Sequence, residues 1–185
     1  MFNGSNQDQA PQNQFVSDFI TAYNYNVENG GGEQMQTAAT ATDYTIHLTQ
    51  TEGHSYGDLT FPVKSNETRN TVFWNPTEGL ETPKGTLSPA TILEHEVDHR
   101  VEWQTNTSEY RQNRDVNKNS DSHFESKEEK RVIMGSEYKT GVANGELRRV
   151  PKERRNNSSS YRRHGRNSGN LFVPVASPTS NKKKP

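Results

Sequence analysis

The chain reads as an α+β protein, and three observations carry that reading: an early apolar stripe at helical spacing, two short β-rich segments after it, and a capped helix beyond them. The stripe is Phe15, Val16, Phe19, Ile20, Tyr23 and Val27, whose spacing near i, i+4 predicts a helix with one apolar face. Asn29-Gly30-Gly31-Gly32 ends it. In Asp43 to Thr49, Tyr44, Ile46 and Leu48 alternate with polar residues, which predicts a half-buried strand. Thr71-Val72-Phe73-Trp74-Asn75, stopped by Pro76, predicts another. Ser88-Pro89 supplies an N-cap and a first helical residue for a helix reaching about Trp103. A polar loop over roughly 105–121 precedes a second helix from about Ser126 to Ala143, closed by Asn144-Gly145. Leu171 to Val175 adds a short edge segment. The predicted architecture is a small antiparallel sheet packed on the Ser88 helix, with the Ser126 helix crossing behind.

Length and composition bound the rest. One domain accommodates 185 residues. Only 27% are hydrophobic and the mean hydropathy is -1.15, so the apolar residues must be concentrated in a smaller folded part. That divides the chain into a linker over 1–14, a single domain over 15–175 and a disordered basic tail over 176–185. The absence of cysteine excludes a disulfide framework and any thiolate metal site, leaving His, Asp and Glu as ligands. Met1 to Gln14 has neither the basic nor the apolar region of a Sec leader, and no run approaches a membrane span. A cytoplasmic protein, or one delivered by a non-Sec route as part of a longer chain, is expected.

Charge is unevenly distributed. Residues 1–99 hold 3 Lys/Arg against 13 Asp/Glu, a balance of -10, and residues 100–185 hold 19 against 10, a balance of +9. The basic residues are densest from Arg148 to Arg166. A solvated tail is the ordinary reading of such a run, and a phosphate-binding module is the alternative.

The chemistry concentrates at His95-Glu96-Val97-Asp98-His99. Residues four apart share a helical face, so His95 and His99 can meet one ion, and Glu96 stands beside it as a candidate general base. This His-Glu-x-x-His pattern is that of zinc peptidases, here in the required context of a capped helix preceded by a strand. Asp98 places a charge between the histidines, with Glu94 and Arg100 on either side, which gives some weight to the alternative of an exposed helix carrying a charged patch; the strand before it and the segment downstream favour the metal site.

A catalytic zinc takes three protein ligands, so one more is needed. Glu129 shares its face with Val132, Ile133 and Ser136, the apolar and small side of the second helix, and is the first candidate. Glu128, grouped with Arg131 and Gly135 on what reads as an exposed face, is the reserve, and Glu137 is third. Ser126-Lys127-Glu128-Glu129 also fits a capping box, in which Glu129 would bond backbone instead. Tyr161 and His164 are candidates to stabilise an oxyanion. His47, His54 and His123 read as strand, loop and loop-end residues.

Leu87-Ser88-Pro89-Ala90 leading into the His-Glu-x-x-His helix, then Glu-Glu with an apolar pair, a Gly-x-Glu and an Arg-rich stretch reaching Tyr161, resembles the NleD-type effector metallopeptidases. Related domains stand at the C-terminal ends of Rhs-repeat polymorphic toxins. The resemblance covers about residues 70–165. It implies a zincin-like, gluzincin-type fold in which His95, His99 and one of the paired glutamates hold Zn2+ and Glu96 is the general base. It further implies a secreted or delivered toxin module acting on a protein or peptide, with a cognate immunity protein and with Thr71 to Asn75 as an edge strand beside the cleft, although an ordinary core strand with Phe73 and Trp74 each burying one face is at least as good a reading of that segment. Nucleic acid is the less favoured target, and a non-catalytic interaction domain is the remaining alternative.

Overall fold

The computed structural model describes residues 13–57, 70–82, 84–115, 124, 126–149 and 171–182. Helix α1, Gln14–Glu28, is capped by Asn13, whose side chain accepts from Phe15 N–H at 2.9 Å. Phe15, Phe19 and Tyr23 of its predicted stripe pack on the core. After the glycine break a second helix forms, α2, Glu33–Thr40, which no apolar periodicity announces. Its N–H groups at Gln34 and Met35 are accepted by the buried Glu94 carboxylate at 2.8 and 3.0 Å. A tertiary carboxylate does there what a local cap does elsewhere.

The strands make two sheets rather than one. In the first, β1 (His47–Gln50) and β2 (Tyr56–Gly57) flank β3 (Thr71–Trp74), with β1 parallel to β3 and β2 antiparallel to it. The predicted antiparallel sheet is therefore mixed at this point. Strand β3 is central, so of the edge and core readings of this segment the core one holds; Val72 and Trp74 are fully buried. The second sheet is antiparallel, with β4 (Glu78–Thr82) between β5 (Gly85–Leu87) and β6 (Leu171–Pro174). The predicted edge segment is thus present as β6. Gly85 opens β5 at φ 153°, and a Cβ there would stand 2.1 Å from the Glu146 carbonyl oxygen, so only glycine fits.

Helix α3, Pro89–Thr105, runs between the two sheets' cores. Ser88 caps it, accepting from Thr91 N–H at 3.3 Å, and Pro89 is its first residue. Ala90, Leu93, Val97 and Val101 join Ala22, Met35, Val72 and Trp74 in one apolar cluster, whereas Ile92 joins Leu80, Leu87, Phe124, Ile133, Tyr138 and Leu147 in another. Both sides of one helix are therefore buried, and 12 of its 17 residues have no appreciable exposure. Trp74 Nε1 donates to Pro89 O at 2.9 Å and Asn26 Nδ2 to Ala90 O at 2.8 Å, tying the first turn to β3 and α1.

Where a polar loop was expected, α4 forms over Thr107–Arg114. Its anchor is Tyr110, buried beneath Arg100 and packed edge-on to Trp103 at 5.5 Å. The second predicted helix is present in three parts: α5 (Lys127–Val132), one turn of π-helix (Ile133–Glu137) and α6 (Tyr138–Ala143). Gly145, at φ 71°, closes it as predicted, with Glu146 N–H donating to Gly141 O at 2.8 Å. Tyr25 OH lies 3.4 Å from Glu146, and burial first, then that carboxylate, pushes the phenol up to about 12. Within the segment read from sequence as a disordered basic tail over 176–185, Pro178 is buried and its carbonyl accepts from Ala90 N–H at 2.9 Å.

Candidate metal centre

The helical spacing of His95 and His99 brings their Nε2 atoms to 3.2 Å, with the rings edge to face at 4.8 Å. Both side chains are buried. The third group comes from α5, whose start is set by Ser126: its hydroxyl accepts from Glu129 N–H at 3.1 Å. The cap and ligand readings of Glu129 are thus compatible, because the cap uses its backbone and leaves the carboxylate directed at the histidines. Glu129 Oε1 lies 3.2 Å from His99 Nε2 and Oε2 lies 3.6 Å from His95 Nε2. His95, His99 and Glu129 form the metal-ligand group present among the described residues. A tetrahedral ion with bonds of about 2.0–2.1 Å holds its ligand atoms roughly 3.3 Å apart, so this nitrogen-nitrogen-oxygen triangle has the size and the chemistry for zinc or a similar borderline cation.

The other two glutamates occupy the far sides of the imidazoles. Glu137 Oε2 accepts from His95 Nδ1 at 2.7 Å, and Glu128 Oε1 accepts from His99 Nδ1 at 3.0 Å. These bonds place the proton on Nδ1 and turn each Nε2 lone pair inward. Burial alone would push both histidines down, yet Glu137 raises His95 and the Glu129 and Glu128 carboxylates raise His99 well above the ordinary value. Burial likewise works against a charged Glu128, but its bonds to His99 and Arg131 bring it down to about 2. Glu128, expected on an exposed face, has a side chain only 1% exposed, whereas that of Glu129 is 21% exposed. Counting turns correctly groups Glu128 with Arg131; it does not reveal that α3 covers that face. Neither reserve ligand belongs to the nitrogen-nitrogen-oxygen triangle.

Asp98 does not loosen α3. It is buried, takes Arg131 Nη1 at 2.8 Å and accepts the Ser136 hydroxyl. Arg131 also forks onto Glu128, with Nε at 3.0 Å and Nη2 at 2.7 Å. One guanidinium thus links the residue between the histidines to the carboxylate behind His99. Glu94, held up to about 7 chiefly by burial, caps α2, and Arg100 Nη2 donates to Tyr110 OH at 3.0 Å. Asp98 is paired with a cation, Glu94 accepts two backbone N–H groups and Arg100 reaches a hydroxyl, and these bonds offset part of the cost of burying a charged helix.

Glu96 stands apart in one respect. From Pro89 to Val101 it is the one residue that is not buried. Tyr161 and His164 lie outside the described residues, as do His123 and the basic run beyond Arg149. His47 opens β1, and His54, in the loop after it, bonds Glu78 at 2.7 Å and stacks on Phe172. The residues that sequence reasoning missed are Arg131 and Ser136, and no short motif marks either one. Comparison with protein-family models, with curated proteins and with solved structures finds no match to this chain.

Proposed function

We propose that the chain is a metal-dependent hydrolase whose centre is His95, His99 and Glu129. More particularly, we propose a zinc metallopeptidase of the delivered effector or toxin type. The observation that carries the first step is the convergence of two buried imidazoles and one carboxylate on a common point, in a helix where Glu96, next to His95, is the one residue from Pro89 to Val101 that is not buried. A divalent metal, when bound, supplies Lewis acidity and makes water acidic enough to attack at neutral pH. On this reading Glu96, the residue after His95 in the His-Glu-x-x-His pattern, would accept the proton of that water and return it to the departing amine. Glu128 and Glu137 hold the imidazoles in the tautomer that leaves Nε2 free for a metal.

The second step rests on the resemblance of the two motif segments to effector metallopeptidases. On that reading the substrate is a protein or peptide, the module reaches its target by a non-Sec route as part of a longer chain, and an immunity protein accompanies it. The test is metal analysis of chelator-free protein, followed by peptidase assay on a mixed protein substrate. We expect about one zinc per chain, cleavage by the wild type, zinc without cleavage in Glu96→Gln, and neither in His95→Ala. Equal metal content in wild type and His95→Ala would remove the ligand assignment. Nucleic-acid cleavage unaffected by Glu96→Gln would replace the peptidase reading.

A further inference from the structure

The helix that supplies Glu129 changes period before it reaches Glu137. Each residue of an α-helix advances about 100°, so in an unbroken helix Glu137, eight positions beyond Glu129, would face some 80° away from it. The π-turn at Ile133–Glu137 takes in one extra residue and sets all that follows back by about 100°. Glu137 then lies within roughly 20° of the direction of Glu129. Both carboxylates consequently face α3, Glu129 on the Nε2 side of the histidines and Glu137 on Nδ1 of His95. The same turn seats Ser136 on Asp98. Glu137 is buried, where an acid is retained only if its bonds offset the loss of water.

We propose that Glu137, carried into place by this π-turn, is the positioning residue that sets the metal affinity of His95. The inference rests on the metal-centre reading and deepens it. A carboxylate on Nδ1–H holds the ring in one tautomer and orientation and makes Nε2 more basic, and loss of such a partner typically weakens metal binding 10- to 100-fold. The test uses the full chain with Glu137→Gln and Glu137→Leu, measuring zinc affinity by chelator competition and the visible absorption of the cobalt-substituted protein. Glutamine retains an oxygen for Nδ1–H without the charge, so a partial loss of affinity is expected for it. Leucine is expected to lose about 10- to 100-fold, with an altered cobalt spectrum, while zinc still binds at one per chain. A purely structural role would leave the cobalt band unmoved in folded protein. Wild-type affinity and a wild-type cobalt band in both folded variants would overturn the proposal, and Glu137→Gln decides alone if Glu137→Leu does not fold. A wild-type chain that binds no zinc overturns the metal reading itself, and this role with it.

Discussion

Arg131 shows how much of the centre depends on residues that touch no ligand atom. Its guanidinium holds two buried carboxylates, Asp98 and Glu128, and is itself 31% exposed. Replacing it by methionine leaves both acids facing the core with one fewer cation. We expect Arg131→Met to cost about 3 kcal/mol of metal-free stability, near the low end for a broken buried pair because of that exposure. Urea denaturation measures it, and a loss below about 1 kcal/mol would mean that water reaches the pair. Glu146 offers a pH test away from the metal residues. Burial raises its carboxyl above the ordinary 4.5, although Ser88 N–H bonds it at 3.0 Å. The folded chain therefore holds this proton to higher pH than the unfolded chain, so its contribution is fully present below 4.5 and is lost as pH rises through the folded value. Glu146→Gln, which keeps an acceptor for Ser88, is expected to flatten stability against pH above 4.5. An unchanged slope in chemical denaturation would reject that account. At this scale the histidine pair and Glu129 were legible, because residue type, spacing and face suffice for them. The burial of Asp98 was not, since its partners, Arg131 and Ser136, stand 33 and 38 residues away.

Among the elements, α3 was the most legible and α2 and α4 the least. Ser88-Pro89 and the apolar residues after it determine where α3 starts and how it packs. Helices α2 and α4 carry few apolar residues and depend on distant groups, the Glu94 carboxylate for one and the Arg100–Tyr110 contact for the other. The π-turn has no periodicity of its own, so counting at 100° misplaces everything after Ile133, Glu137 included. Strand order was equally hidden, because the parallel pairing of β1 and β3 joins segments separated by 20 residues. Since α3 separates two clusters, its apolar residues should be expensive to shorten. Leu93→Ala, at a site with no exposure, is expected to cost about 2–5 kcal/mol, read from the denaturation midpoint. A cost under about 1 kcal/mol would show that the first cluster collapses around the missing atoms.

For the molecule as a whole, the three candidate ligands come from two helices, so a metal bound there would add a tertiary bridge. Metal that binds only the folded chain raises its stability by about 2.7 kcal/mol at a hundredfold excess over Kd. Chelation should accordingly lower the melting temperature of the wild type and leave that of His95→Ala unchanged, which differential scanning calorimetry distinguishes. The α+β class was legible at this scale; the division into two sheets was not, since β2 and β5 are only two and three residues long and each of β2, β4 and β5 carries a glycine that interrupts a strand pattern. One feature of α3 also bears on its reactivity. With Glu94 and Asp98 sealed off, Glu96 is the one carboxyl that solvent reaches from Pro89 to Val101. A water-soluble carbodiimide with a small amine should therefore label the stretch from Pro89 to Val101 once, at Glu96, so the proposed general base can be followed chemically within that stretch even before its substrate is known.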